Sequence, residues 1–261
     1  MDLPLTEIRA PTRGNRKLEA LIDAANGDRR LHAWWYMQQV NADRRDMSDH
    51  SWVHIQIVVN IALRLFRLLN RGGVEPAMVT AHGMNARDAE VVIAAACLFH
   101  DTGMSIHRTD HEQYSLFLAS DRMPQLLDGI YKDPELTVVI SEALHAVIGH
   151  RRAGDPVTIE AGIVRVADAL DMASGRSRIP FETRRPNIHS VSAAAIDDVT
   201  IEPGDEKAVQ VKIAMNNSAG LFQIDELLAT KLRGSGIEEH VEVVAEIEAE
   251  HEKRLVPVFR I

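Results

Sequence analysis

The sequence predicts a mainly α fold, with a helical bundle over residues 1–186 followed by a small α+β unit of ββαββ order over residues 187–261. Apolar residues recur at helical spacing through most of the first 185 residues. After Pro186 the pattern changes to β-branched and alternating residues separated by turn signals. The chain has 46% hydrophobic and 26% charged residues, which is typical of soluble globular proteins.

The N-terminal region predicts two short amphipathic helices, Leu18–Ala25 and His32–Val40. Between them, Asn26-Gly27-Asp28 is a turn signal. We expect Trp34 and Trp35, which lie in the second helix, to pack this piece onto the main body. The N-terminal region is therefore predicted to be a helical extension of the bundle.

Five longer helices are predicted for the bundle itself. The helix that ends in the His-Asp pair is apolar nearly all round, so we expect it in the centre of the bundle. Start and stop signals come from serine, threonine, proline and glycine. The predicted helices run from a Ser51 cap to Asn70 before Gly72-Gly73, from about Asp88 to His100, from a Thr109–Glu112 capping box to about Ser120, from Pro134 to His150, and from about Thr158 to Ser174.

The C-terminal unit is predicted from alternation and turn residues. Val241–Glu248 mostly alternates, but Val244 breaks the pattern, so a helix there is the alternative. Glu202-Pro203-Gly204-Asp205 marks a turn between the first two strands. The predicted elements are the strands Ser190–Ile201 and Ala208–Met215, the helix Gly220–Leu232, and the strands Val241–Glu248 and Leu255–Ile261.

Charge and cysteine content restrict the function classes. A formal net charge of −9 argues against general nucleic-acid binding, which needs a basic face. The single cysteine, Cys97, excludes an internal disulfide and is expected in the core of a protein from a reducing cytoplasm. The apolar stretch Ile55–Leu69 contains Asn60, Arg64 and Arg67, so we do not expect it to span a membrane.

Histidine and aspartate side chains lie on otherwise apolar helices, which is the main functional signal. His54, the pair His100-Asp101, and Asp168 come from three separate predicted helices. Each alone is more often a hydrogen-bonded core residue or an ion-pair partner. Together, imidazole and carboxylate suit iron, manganese, zinc, cobalt or nickel, or magnesium at a carboxylate-rich site.

These motifs resemble the HD superfamily of metal-dependent phosphohydrolases, whose signature is His … His-Asp … Asp on the helices of a bundle. The matching stretches are Ser51–Ile61, Ala95–Ser105 and Ala146–Arg176. The run Ala146-Val-Ile-Gly-His150, followed by Ala167-Asp168, is similar to HD enzymes related to the dinucleoside tetraphosphate hydrolases. The resemblance implies an HD-type helical bundle.

The resemblance also implies a ligand set. His54, His100, Asp101 and Asp168 would hold a first divalent ion. In members with a binuclear metal centre Asp101 would bridge, and two further histidines would hold the second ion. His150 matches one of these positions and His111 is the best candidate for the other, with His107 and His145 as competitors.

The implied reaction is cleavage of a phosphoester or phosphoanhydride bond, in a nucleotide or similar small phosphorylated substrate, by metal-activated hydroxide. Asp101 takes part through the metal, and His107 or His145 would supply a proton to the leaving group. Arginines would neutralise the phosphate charge, with Arg176 carried over from the family motif. The other candidates are Arg151, Arg152 and Arg178.

Two other function classes remain open from the sequence. Some HD proteins are di-iron oxygenases, and the same bundle could instead be a non-catalytic nucleotide-binding sensor. The C-terminal unit carries no recognisable nucleophile or metal cluster, so we expect it to be a substrate cap or an oligomer interface. A cytoplasmic homo-oligomer without membrane association is the expectation for the whole chain.

Overall fold

The computed structural model describes residues 6–173 and 188–247, and helices predominate within these ranges. This confirms the predicted mainly α fold with a small C-terminal sheet. The helices are α1 Arg16–Gly27, α2 Arg29–Asp43, α3 Trp52–Arg71, α4 Ala77–Thr80, α5 Ala86–Phe99, α6 His111–Leu126, α7 Glu135–Gly149, α8 Ile159–Leu170 and α9 Ile188–Ala194.

The N-terminal helices α1 and α2 form as predicted, around a single aspartate. The backbone N–H of Asp28 donates to Ala25 at the end of α1, and its side chain accepts from Arg30 N and Leu31 N at the start of α2. Trp35 is buried, and its indole Nε1 donates to Leu98 O at 3.1 Å. The prediction that a tryptophan anchors this extension to the bundle is therefore confirmed.

Helix α5 lies in the centre of the bundle and contacts α1, α3, α7 and α8. Nearly all of its side chains are buried, as its uniformly apolar sequence predicts. Asn85 and Asp88 form a capping box at its N-terminus. Because α5 is held rigidly on several sides, the His-Asp pair at its C-terminus has a fixed position.

Helix α3 packs against α5 and α8 and begins at the predicted cap, where the Ser51 side chain accepts from Val53 N. By length and composition alone Trp52–Arg71 is apolar enough to cross a membrane, so its polar residues do not by themselves exclude a span. More than half of this helix is buried inside the bundle, and the core helix of a soluble protein passes the same test. Its apolar face is thus accounted for by packing.

Helix α6 differs from the prediction at both ends. The helix begins after Asp110, which adopts a left-handed conformation (φ 59°). Among the residues that the structure describes, no side chain caps this N-terminus. The predicted capping box was wrong because Glu112 turns toward its neighbour instead, with Oε2 3.3 Å from His111 Nδ1. The helix also continues past Ser120 to Leu126. Helices α7 and α8 begin next to Pro134 and Thr158 as predicted, but α8 ends at Leu170 rather than Ser174.

The C-terminal unit contains a three-stranded sheet in the order β1-β2-β3. The strands are β1 Ile196–Pro203, β2 Val209–Met215 and β3 Val241–Ile247. β1 and β2 are antiparallel, whereas β2 and β3 are parallel and therefore need a crossover connection. We call this connection the crossover helix; it comprises the helical turns Ser218–Gly220, Leu221–Gln223, Ile224–Ala229 and Thr230–Leu232.

One prediction for this unit was wrong, and two are not tested by the described residues. The segment Ser190–Ile201 was predicted to be one strand, but α9 occupies its beginning and β1 starts at Ile196. Ser192 is buried in this helix, and its Oγ accepts from Gln223 Nε2 of the crossover helix at 2.8 Å, a tertiary contact that the local sequence pattern does not reveal. The predicted strand Leu255–Ile261 and the 186/187 boundary lie outside the described residues, so both stay predictions.

Candidate metal centre

The His-Asp pair is positioned by a tight turn that follows α5. The 3₁₀ turn Thr102–Ser105 runs directly along α6, where Ser115 Oγ accepts from Gly103 N at 2.8 Å and donates to His100 O at 2.7 Å. A Cβ at position 103 would lie 1.9 Å from His111 O. Only glycine permits this approach, which brings α6 and its first residue, His111, next to Asp101.

A first cluster joins the start of α3, the residue after α5 and α8. Nε2 of His54 lies 3.2 Å from Nε2 of His100 and 3.4 Å from Oδ1 of Asp168. Nε2 of His100 lies 3.8 Å from the same carboxylate oxygen. Both imidazoles are buried. The three ligand atoms lie close enough together to hold one ion.

A second cluster contains Asp101, His111 and His150. Asp101 Oδ1 lies 3.1 Å from His111 Nε2 and 3.7 Å from His150 Nε2. Its other oxygen, Oδ2, faces the first cluster, at 3.4 Å from His54 Nε2 and 3.6 Å from His100 Nε2. Asp101 therefore lies between the clusters, as a bridging carboxylate would.

The outward-facing nitrogens of three imidazoles are held by hydrogen-bond acceptors. His100 Nδ1 lies 2.8 Å from Cys97 O, His150 Nδ1 lies 2.6 Å from Val147 O, and His54 Nδ1 lies 2.6 Å from Asp171 Oδ2. A carbonyl or carboxylate oxygen only accepts, so each Nδ1 donates and each Nε2 lone pair faces inward.

This tautomer is the one that metal-binding histidines require, and such outer partners are typical of metal sites. His111 differs, because both Arg108 and Glu112 lie beside its Nδ1. Two inward lone pairs 3.2 Å apart, as in His54 and His100, repel each other unless a proton or an ion lies between them. The donor set therefore fits a divalent cation.

The protonation states also suit metal binding. Burial raises the pKa of Asp101, but the surrounding histidines, His100 first, outweigh burial and hold that pKa well below its usual range. Burial likewise raises the pKa of Asp168, whereas Lys231 with His100 and His54 lowers it well below its usual range. Burial lowers the pKa of His150. The carboxylates are thus anionic and this imidazole neutral at pH 7, which are the forms that bind metals.

A cavity of about 470 Å³ opens onto the two clusters. Arg151 and Arg152 line it, as the sequence analysis expected of residues that neutralise phosphate. Arg45, Arg108 and Lys231 line it as well, although no motif in the sequence pointed to these three. The lining thus combines five cationic side chains with the acidic groups of the two clusters, a combination suited to an anionic substrate.

The C-terminal unit takes part in this site. Lys231, on the crossover helix, forms a short ion pair with Asp168 through Nζ and Oδ2. Gln223 and Leu227 of the same helix also line the cavity. The unit therefore lines one side of the cavity, and its predicted role as a substrate cap or an oligomer interface stays a prediction.

A buried arginine on α8, Arg165, joins the crossover helix to the loop that follows α7. Its guanidinium donates to Lys231 O at 2.8 Å and to Thr230 O at 3.2 Å. The same group donates to Arg151 O and Arg152 O, each at 3.1 Å, and to Gly154 O. Arg165 thus fixes both Lys231 and the loop after His150 relative to the two clusters.

Not every residue singled out in the sequence lies in the site. His107 is exposed and pairs with Arg45 through Nε2 and Nη2 at 3.0 Å, and it does not line the cavity. His145 lies on another face of α7, where its Nε2 accepts from Val157 N at 3.1 Å. The structure brings neither histidine into the cavity, so their proposed proton transfer has no geometric support. Arg176 and Arg178 lie outside the described residues.

Asp171 and Lys231 contact the first cluster, although neither was predicted from the sequence to lie in the centre. Asp171 follows Asp168 by three residues at the end of α8, which is a local signal that it could share the site. Lys231 has no such signal, because the sequence separates it from Asp168 by 63 residues.

The comparisons with known proteins agree with this geometry. Residues 48–173 match the HD domain family, and this range contains all six clustered residues. The chain is also 38% identical over 240 residues to the uncharacterized protein MJ1020 of Methanocaldococcus jannaschii, covering 92% of this chain and 91% of that protein. The family match, the helical bundle and the similarity to this relative support the same conclusion. The chain belongs to the family of HD-domain proteins.

Proposed function

We propose that this protein is a metal-dependent phosphohydrolase that cleaves a phosphoester or phosphoanhydride bond of a small phosphorylated substrate, a nucleotide being the first choice. The observation that carries the proposal is the convergence of six side chains on one centre beneath a cavity that five cationic side chains help to line. The six are His54, His100, Asp101, His111, His150 and Asp168. HD domains are typical of metal-dependent hydrolases, which supports the same reaction class.

The two clusters are assigned one divalent ion each, with Asp101 facing both. A divalent ion at such a site polarises phosphoryl oxygens and lowers the pKa of bound water toward about 7. The choice among iron, manganese, zinc, cobalt, nickel and magnesium follows from the ligands only in part: four imidazoles favour a transition metal over magnesium.

The protein's own cations would bind and orient the substrate. Lys231 Nζ lies at Asp168, next to the centre, and supplies positive charge where a phosphate oxygen would approach. Arg108 and Arg151 line the same cavity and can bind further phosphate oxygens as bidentate donors. Glu112, which also lines the cavity, is a candidate for moving a proton, because it lies beside His111 rather than in solvent.

The cellular context and the finer classification are part of the same proposal. One buried cysteine and a mostly buried apolar helix fit a soluble cytoplasmic enzyme. The alanine–histidine motif before Asp168 favours a relation to the dinucleoside tetraphosphate hydrolases. Homo-oligomerisation is also proposed, whereas general nucleic-acid binding and membrane association are not.

The test combines metal analysis with phosphate release from a panel of nucleotides, cyclic dinucleotides and dinucleoside polyphosphates. The variant Asp101→Ala removes the carboxylate between the clusters and should lose bound metal together with activity. Asp23→Ala, which changes an exposed aspartate of α1, is the matched control and should behave like the wild type. If Asp101→Ala retains both metal and activity, the site assignment is wrong.

Two other outcomes would replace the proposed reaction. Iron-dependent turnover that needs oxygen and releases no phosphate would establish a di-iron oxygenase. Tight nucleotide binding without turnover, in protein with its full metal content, would establish a sensor.

A further inference from the structure

A second cavity, of about 270 Å³, lies at the other end of the bundle. Arg67 and Arg71, near the end of α3, and Arg87, near the start of α5, line it. His54 and His100 stand thirteen residues from Arg67 and Arg87 on these two helices, which corresponds to about 20 Å along the helix axes. This cavity is therefore separate from the metal centre.

The lining of this cavity is strongly cationic. Arg13 joins the three arginines of α3 and α5, and Asn70 adds an amide. The one carboxylate in the lining, Glu90, is buried and already engaged: its Oε1 accepts from Arg67 Nε at 2.6 Å, and its Oε2 accepts from Asn15 Nδ2 at 2.8 Å. Four guanidinium groups against one paired carboxylate leave an excess of positive charge, in a protein whose net charge is −9.

One of these guanidinium groups has an unused donor. The Arg67 side chain is only 10% exposed, and its Nη2 is buried without a hydrogen-bond partner in the part of the chain that the structure describes. A buried donor without an acceptor is rare in folded proteins, because it loses its hydration without compensation. An oxygen atom of a bound anion would supply the missing acceptor once the exposed arginines at the mouth of the cavity move aside and let it reach Nη2.

We propose that these arginines form a binding site for a small phosphate-type oxyanion, either free or as the phosphate group of a metabolite. Arginine is suited to this ligand because its planar fork donates two parallel hydrogen bonds to phosphate oxygens. Arg67 is held in place by Glu90, whereas Arg13, Arg71 and Arg87 are exposed at the rim, where they can close on the ligand. The anion links the end of α3 to the start of α5, so its binding stabilises the bundle.

The experiment measures binding of inorganic phosphate and pyrophosphate to the full-length protein by titration calorimetry and by the shift in Tm. Chelator treatment removes metal, so that binding at the metal centre does not contribute. In the double variant Arg13→Gln/Arg87→Gln both changed side chains are exposed, so the fold should persist, and we expect pyrophosphate binding about tenfold weaker or more. Arg29→Gln/Arg233→Gln removes the same charge from exposed positions outside both cavities and is the matched control.

A third double variant, Arg151→Gln/Arg152→Gln, changes the other cavity and should leave this binding unchanged. The proposal is overturned if the wild type shows no saturable binding up to about 10 mM anion, well above the millimolar range of a weak specific site. It is also overturned if the control variant, or the variant of the other cavity, weakens binding as much as Arg13→Gln/Arg87→Gln does.

Discussion

Replacing Arg165 by methionine should destabilise the protein more than any exposed charge substitution. The side chain is 4% exposed, and its guanidinium donates to five backbone carbonyls of the segments Arg151–Gly154 and Thr230–Lys231. Methionine keeps the apolar stem, so the main change is the loss of these hydrogen bonds.

The magnitude follows from two opposing effects. Hydrogen bonds to a charged donor contribute about 1.5–3 kcal/mol each in net terms, so five of them set an upper limit of about 7.5–15 kcal/mol, which is comparable to the whole stability of a typical domain. Burial of the guanidinium opposes folding and lowers the pKa of Arg165, and the freed carbonyls near the surface regain water. We therefore expect a loss of about 3–5 kcal/mol, among the larger effects of single substitutions and typical of one that breaks a buried hydrogen-bond network.

Urea unfolding followed by circular dichroism measures this loss. Arg29→Met, at an exposed position of α2, is the control and should change the free energy of unfolding by less than about 0.5 kcal/mol. Arg165→Lys keeps the charge but loses the planar fork, so it should recover only part of the stability. A loss below about 1 kcal/mol for Arg165→Met would refute the conclusion that this arginine joins the two segments.

Three further predictions concern close packing and burial. Gly103→Ala should abolish metal binding, because the added Cβ would lie 1.9 Å from His111 O and push α6 away from Asp101; metal analysis of the purified variant measures this. Gly162→Ala should lower the free energy of unfolding by about 1–3 kcal/mol, because its Cβ would lie 1.9 Å from Ser235 O, where α8 contacts the C-terminal unit. The Cys97 thiol should resist thiol reagents in the native protein at pH 8 and react fully in denaturant, because burial raises its pKa and the thiol stays protonated.

The two glycine predictions share one control variant. For each of the three predictions, one result would contradict the reasoning. Gly27→Ala adds a Cβ with no atom within 4 Å and should leave metal content and stability unchanged. Normal metal content in Gly103→Ala would mean that the turn does not position His111. Unchanged stability in Gly162→Ala would mean that the C-terminal unit shifts without cost, and rapid labelling of Cys97 in the native state would mean that the core around α5 opens.

Several features could be predicted from the sequence because they depend only on residues that are neighbours along the chain. Helical spacing of apolar residues predicts α3 and α5, and Ser51 marks the start of α3 through a side-chain cap that involves only its neighbours. His54 and the pair His100-Asp101 could be predicted as candidate ligands because their side chains bind metals and lie on otherwise apolar helices. The structure brings them together, and their role as metal ligands stays a prediction to be tested.

The local sequence does not decide which histidine side chains reach the candidate metal centre. His107 and His145 have the same chemistry as His111 and His150, but the close approach at Gly103 turns α6 toward Asp101, and the other face of α7 holds His145 away. These outcomes depend on how helices pack, which is a property of many distant residues at once.

The sequence by itself determined the fold class, most helix positions and the candidate ligands on α3, α5 and α8. Only the tertiary structure decided that Ser192 belongs to a helix rather than a strand, and that Lys231 reaches Asp168 across 63 residues. The physical reason is that secondary structure and side-chain type follow from neighbours along the chain. Burial, ion pairing and the meeting of segments instead depend on contacts that form only when the whole chain is packed.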